Sequence, residues 1–370
     1  MVNKKIAILS GDGIGPEVME SALEVLKLIE KLFNHNFDFK YLAVGGYAYE
    51  KYGEHLPKST IDGCINSDAI LFGSVGGPVD SKKNKKWENC EKNSILYLRK
   101  KFNFNINIRP INTISEISNL SPLKLKNIVN IEIFRELSSD IYFGEHRTYI
   151  DAKGKYRARD IAEYDEDTIR DIVKKAFLRA NERKKKLTSV DKANVLDTSK
   201  LWRNIVNEES LNYPNVELEH MYIDNCAMQL ILQPESFDVI VTSNLFGDIL
   251  SDLASTIPGS IGLIPSISLN NDRFGLYEPA GGSAYSLSGR DIANPIAQIL
   301  SAALMLEYSF YLKSESELIK SSIFNILKHG VKTADLTFHS KENHIGTKEF
   351  TKYLINEINH KYNSLNMIAI

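Results

Sequence analysis

The segment KKIAILSGDGIGPEV, residues 4–18, constrains the fold more than any other. Ile6–Leu9 is an apolar run of the length of a short buried strand. Gly11 and Gly13 follow as a tight turn, and Pro16 suits the first turn of a helix, with Glu17 and Glu20 at its positive end. Val18, Ala22, Val25, Ile29 and Leu32 then recur at helical spacing. The pattern repeats. DAILFGSVGGP (68–78), NIVNIEIF (127–134), ANVLD (193–197) and DVIVTSN (238–244) read as further strands, with helical stretches such as 165–186 between them. This alternation predicts an α/β protein with a largely parallel sheet, whose ligands bind beyond the carboxyl ends of the strands.

Composition narrows the function. The chain has 370 residues, a formal net charge of −2 and 43% hydrophobic residues, enough for two domains or one large discontinuous fold. Near-neutral charge argues against nucleic acid as the main partner. The longest mostly apolar run, IAQILSAALML (296–306), is far below the roughly 20 residues that span a bilayer, and it reads as a buried helix rather than a membrane segment. The N-terminus lacks the long apolar core of a signal peptide. Cys64, Cys90 and Cys226 are odd in number and widely spaced, which fits a reducing cytoplasm rather than a disulfide framework. His339 and His344 read as surface residues. Residues 141–164, rich in aromatics and charges, read as an exposed hairpin arm turning at DAKGK and pairing with a second subunit. ERKKK (182–186) reads as the solvated end of a helix, and VDSKKNKKWENCEKN (79–93) as a long mobile loop.

Chemistry concentrates in a few places. In SNLFGDILSD (243–252), Asp248 and Asp252 share a helical face among apolar side chains. Their repulsion calls for a positive charge nearby. Asp224, in YIDNCAMQLILQP, reads alone as a helix cap. Beside the Asp pair it suggests a hard divalent cation, Mg²⁺ or Mn²⁺, held by oxygen ligands. Arg99, Arg109 and Arg135 each end a predicted element; singly each can be structural, and together they would clamp a polycarboxylate. Lys192 stands at the edge of a predicted strand, where burial can tune a lysine for proton transfer, or where it can simply snorkel. GDGIGPEV lacks the third glycine of a dinucleotide fingerprint, since Pro16 stands there. The Gly- and Ser-rich segment 277–295 can approach a nucleotide closely or be an ordinary loop.

GDGIGPEV, GSVGGP, LRK…NIRP, RELSSDIYFGE, VDKANVLD, YIDNCAMQLI, SNLFGDILSDLAS, GSIGLIPS and EPAGGSA…IANPIAQILS occur in this order. In this the chain resembles, over essentially its whole length, the isocitrate/isopropylmalate β-decarboxylating dehydrogenase family. The resemblance implies a two-domain α/β fold that is not Rossmann, with a mixed, largely parallel sheet, helices on both faces and a dimerising arm. The first domain would take residues 1–105 and 257–370 with the NAD-binding loops. The second would take 106–256 with the dimer interface, the arm at about 141–164 and the metal-binding Asp residues. It further implies a homodimer with shared active sites. Arg99, Arg109 and Arg135 would bind substrate carboxylates. Asp248 and Asp252 of one subunit and Asp224 of the other would surround Mg²⁺ or Mn²⁺, and Tyr142 and Lys192, again from opposite subunits, would handle protons, with Asp224 or a water in the relay.

Among the family's substrates, the resemblance places Ile95 and Leu96, with Val195, in an apolar pocket wall that would suit an isopropyl group and leave a third carboxylate unpaired. The activity implied is NAD-dependent oxidative decarboxylation of (2R,3S)-3-isopropylmalate to 4-methyl-2-oxopentanoate, a step of leucine biosynthesis. The alternatives are a related isocitrate, homoisocitrate or tartrate enzyme, or a non-catalytic subunit of the same fold. For NAD, the resemblance points to Gly77, Pro78 and Glu91, to Glu278, Gly281, Gly282, Ser283 and Ala284, and to Asn294. It departs at Tyr285, Ser286 and Leu287, where the family carries Pro, Asp and Ile. That Asp would hold the adenosine ribose and repel a 2′-phosphate, which Ser286 cannot do. The 79–93 segment departs as well.

Overall fold

The computed structural model describes residues 1–78, 81, 84–337 and 343–368. Along the chain run β1 (Asn3–Gly11), α1 (Gly15–Phe33), β2 (Asn36–Tyr41), α2 (Gly45–Tyr52), α3 (Lys58–Ile65), β3 (Ala69–Ser74), α4 (Ile95–Lys101) and β4 (Ile106–Asn112). Then come β5 (Asn130–Glu136), β6 (His146–Ile150), β7 (Tyr156–Asp160), α5 (Glu166–Glu182), β8 (Lys186–Asp191), α6 (Asp197–Ser210), β9 (Glu217–Tyr222) and α7 (Ile223–Leu232). The chain continues through β10 (Val239–Thr242), α8 (Asn244–Ser255), β11 (Pro265–Leu269), β12 (Gly275–Pro279), α9 (Ile296–Tyr308), α10 (Lys313–Lys328) and α11 (Thr347–Ile368).

Two compact units form. The first comprises Met1–Phe102, Ile114–Pro122 and Pro258–Ile370. Its strands follow the order β2-β1-β3-β12-β11, parallel except for the β11–β12 pair. Every residue of β3 is buried, as the continuous apolar run requires. Helix α9 is buried along almost its whole length, which the run at 296–306 foretells. Among the described residues no helix is long and apolar enough to cross a membrane. The second unit comprises Asn103–Thr113 and Leu123–Ile257. Its strands follow the order β4-β5-β10-β8-β9, with β4 antiparallel to β5 and the rest parallel.

Strands β6 and β7 form a separate two-stranded hairpin with every residue exposed. Its turn is DAKGK: Asp151 accepts hydrogen bonds from the amides of Lys153 (2.9 Å) and Lys155 (3.0 Å). Gly154 takes a positive φ of 72°, which costs glycine nothing. An isolated hairpin is marginal in water, and this one exposes Ile150 and Tyr156.

Three sequence expectations change. ANVLD is not a strand: the strand is 186–191, and residues 193–196 form the turn into α6. Val195 and Leu196 are exposed, while the wholly buried Thr188 and Ser189 disguise the true strand. ERKKK is the solvated end of a helix only in part: α5 ends at Glu182, and Glu182, Lys184 and Lys185 are exposed, but one member is not. Arg183 is sequestered, with Nε on Asp238 (2.7 Å) and Nη1 on Glu132 (3.0 Å), and the run leads directly into β8. Within 79–93, residues 79, 80, 82 and 83 lie outside the described residues, but 84–93 is a series of tight turns with Cys90 buried. His339 also lies outside the described residues.

Candidate active site

In the second unit the site is built around α8. The helix forms because Gly247, Leu250 and Ala254 share a buried face, and its first amides find side-chain acceptors. Tyr164 Oη accepts from the Asn244 amide (2.9 Å) and Asp140 from the Leu245 amide (3.0 Å). Asp248 and Asp252 come out on the accessible face, their side chains 35% and 75% exposed. The compensating charge lies partly in the chain itself. Arg135, at the end of β5, pairs through Nη1 with Asp248, and Arg109, on β4, stands 3.8 Å from Asp252.

Tyr142 donates its hydroxyl proton to the other Asp248 oxygen at 2.8 Å, and the Arg135 guanidinium lies 5.7 Å from its ring centre. Burial first, and then the Asp248 hydrogen bond, push the phenol above its ordinary range. Tyr142 therefore carries its proton at neutral pH.

Lys192 lies one residue beyond the carboxyl end of β8, and its amide donates to Ser199 (3.1 Å). Its ammonium donates to Asp224 at 2.6 Å and sits 5.7 Å from the Tyr222 ring centre. That hydrogen bond is the main cause holding the Asp224 carboxyl below its usual range. Asp224 occupies the first turn of α7, where the helix dipole also favours a negative charge. Among the described residues no three His, Cys, Asp or Glu side chains gather closely enough to hold a metal ion.

In the first unit, Arg99 Nη2 donates to Glu278 at 2.9 Å, while its Nε is buried without a hydrogen-bond partner among the described residues. Ile95 is buried, and Leu96 presents half its surface; in the second unit Val195 is 65% exposed. The loop after β12 docks on the GDGIG turn. The Ile14 amide donates to the Ser283 carbonyl (2.8 Å), and the Ser288 hydroxyl to the Gly13 carbonyl (2.7 Å). A Cβ at Gly282 would meet nothing within 4 Å, and one at Gly281 only Ile261 at 3.9 Å, so the loop leaves open space. Residues 285–287 form a single 3-10 turn after Ala284 in the left-handed region. Asn294, two residues before α9 begins, accepts from the Ile296 amide (2.9 Å) and also donates to Asp335 (3.0 Å).

The two departures from the family pattern meet. The Tyr285 ring lies edge-on to Trp87, with centroids 5.3 Å apart. Trp87 lies flat on glycines, since a Cβ at Gly77 would stand 2.3 Å from its ring. Glu91 approaches Gly76, and Pro78 accepts from the Ser81 amide at 3.0 Å.

Two residues were missed from sequence. Asp12, only 4% exposed, accepts from the amides of Gly46 (2.9 Å), Tyr47 (3.0 Å) and Gly76 (3.1 Å) and ties three turns together. Burial pushes its carboxyl above the usual range, against the pull of these donors. Asn244 accepts from Arg135, and helical spacing from Asp248 would have pointed to it.

The profile of the isocitrate/isopropylmalate dehydrogenase family matches residues 5–354. A 3-isopropylmalate dehydrogenase of Aquifex aeolicus is 47% identical over 365 residues, covering 97% of this chain and 98% of the relative. One from Bacillus subtilis is 43% identical, covering 90% and 92%. Among solved structures, an isocitrate dehydrogenase from Methylococcus capsulatus superimposes with a TM-score of 0.82 at 30% identity, covering 96% of this chain and 99% of that one. A β-decarboxylating dehydrogenase from Thermococcus kodakarensis gives 0.78 at 32%, covering 96% of each.

Proposed function

We infer the activity from one premise: the chain belongs to the isocitrate/isopropylmalate dehydrogenase family. The protein is a decarboxylating dehydrogenase that converts (2R,3S)-3-isopropylmalate to 4-methyl-2-oxopentanoate with NAD, in leucine biosynthesis. The observation that carries this reading is the near-full-length similarity to 3-isopropylmalate dehydrogenases, in a chain that has Tyr142, Lys192 and all three Asp in its sequence. The half-exposed Leu96 supports the choice of an isopropyl-bearing substrate over a tricarboxylate.

The donor set fits a hard divalent cation. Asp248 and Asp252 offer accessible oxygens on one helical face, and hard cations take oxygen ligands. One chain offers two of the three carboxylates. Asp224 of the partner subunit completes the set in a homodimer, and the exposed hairpin β6–β7 is the segment that would join the two copies. Open space at Gly281 and Gly282 suits a dinucleotide. When bound, Mg²⁺ or Mn²⁺ supplies a Lewis acid at the substrate hydroxyl and NAD supplies the hydride acceptor.

The chain's own residues do the rest. Arg99, Arg109 and Arg135 would hold the carboxylates, since a guanidinium grips a carboxylate with two parallel hydrogen bonds. Lys192 of the partner subunit, whose ammonium first passes a proton to Asp224 or a water, takes the hydroxyl proton as an amine when hydride leaves. After CO₂ departs, Tyr142, which is protonated at neutral pH, delivers a proton to carbon.

The test is NADH absorbance with Mn²⁺, crossing 3-isopropylmalate and isocitrate with NAD and NADP. Turnover of 3-isopropylmalate with NAD is expected. Dominant turnover of isocitrate would overturn the substrate, and no turnover would favour the non-catalytic subunit. Asp248→Asn should weaken Mn²⁺ binding by about a hundredfold with the fold intact, since even residues behind a ligand cost up to that much. Unchanged titration of Mn²⁺ would remove Asp248 from the metal site. Ser286→Asp should raise the NAD-over-NADP preference by about tenfold, the value of one charge–phosphate repulsion of about 1.4 kcal/mol. A constant ratio would place the discrimination elsewhere.

A further inference from the structure

We propose that Asn244 is a positioning residue for the reaction, holding Arg135 through a neutral acceptor; this rests on the substrate reading above. Arg135 Nε and Nη2 both donate to Asn244 Oδ1, at 3.0 and 2.8 Å. Asn244 is itself fixed on two sides. Its Nδ2 donates to the Ser139 carbonyl (3.0 Å), and its amide donates to Tyr164 Oη (2.9 Å). Tyr164 in turn donates to the buried carboxylate of Glu136 at 3.1 Å. Asn244 is 1% exposed, so it has no access to ligand and reaches it through the arginine.

The helix around it is shaped to the same purpose. A Cβ on Gly247 would lie 2.5 Å from Arg135 Cγ, so α8 needs glycine where the arginine stem crosses it. Asn244 and Asp248, four residues apart, hold the guanidinium from successive turns. With Nε and Nη2 held by Asn244, Nη1 is left turned toward Asp248 and the accessible face. The neutrality of the acceptor matters. A carboxylate at 244 could grip the guanidinium equally well, but with Asp248 it would leave one cation between two anions where a dianionic substrate must bind.

The experiment is calorimetric binding of 3-isopropylmalate to the Mn²⁺ enzyme without NAD, for the native protein, Asn244→Ala, Arg135→Lys and the double variant. Thermal melts are recorded alongside. We expect Asn244→Ala to raise the dissociation constant about tenfold or more, and to add little once Arg135 is Lys, because the two act as one unit. Losses that multiply in the double variant, or an unchanged dissociation constant in Asn244→Ala, would overturn the proposal. Asn244→Asp, close in size, guards against misfolding of the alanine variant. It should also bind more weakly, and native affinity in it would overturn the neutral-acceptor role. Failure of the native protein itself to bind 3-isopropylmalate would instead count against the substrate.

Discussion

Lys192→Met should lower kcat about a thousandfold while KM for 3-isopropylmalate moves by only a few fold. A positioned general base contributes about 10²–10⁴ in rate, and a thousandfold corresponds to about 4 kcal/mol of barrier. Methionine matches the length and apolar stem of lysine, so the variant removes the proton acceptor with little change in shape. Lys192 is partly accessible, anchored by its own amide and by Asp224 rather than by core packing. The fold should therefore survive. The Asp224 carboxyl loses the hydrogen bond that chiefly depresses it, and its pKa should rise toward the ordinary value. Steady-state kinetics with NAD and Mn²⁺ decide the matter. A loss confined to KM would make Lys192 a binding residue instead.

Glu132→Ala should destabilise the second unit by about 3 kcal/mol, the lower end for removing one partner of a buried ion pair. Glu132 is 4% exposed and accepts from Arg179 Nε (2.7 Å) and Nη2 (2.6 Å) and from Arg183 Nη1 (3.0 Å). Both arginine side chains are less than a fifth exposed. Removing the carboxylate leaves two guanidiniums crowded together, of which Arg183 keeps Asp238 and Arg179 keeps Glu182. Those retained pairs are why the lower figure is chosen. For a unit of this size the loss should appear as a fall in Tm of about 6–12 °C. A fall under about 2 °C would mean that water replaces the carboxylate.

This network was invisible in the sequence. ERKKK reads as a surface run because local charge density says nothing of whether a partner waits inside. Arg183 is drawn in by Asp238, 55 residues away, and by Glu132 on a neighbouring strand. The strand at 186–191 was misplaced for a related reason. Thr188 and Ser189 are polar by composition yet wholly buried, whereas the apolar Val195 and Leu196 lie outside. Hydrophobic patterning assumes that polarity tracks exposure, and here it does not.

Other features were legible because they depend on neighbours in sequence. The strand–turn–helix opening of the chain, the helix carrying Asp248 and Asp252 on one face and the DAKGK hairpin all follow from periodicity and turn chemistry. The same holds for the kinds of residue able to bind a carboxylate or a cation. Tertiary structure alone decided which charge meets which. The Asp pair demanded a positive neighbour, and Arg135, 113 residues before Asp248, is one that supplies it. Trp87 seated on Gly77, Asp12 joining three turns and Asn244 gripping Arg135 are of the same kind. Periodicity is written along the chain, whereas an ion pair or long-range hydrogen bond depends on the route the backbone takes between its ends, and no local pattern records that route.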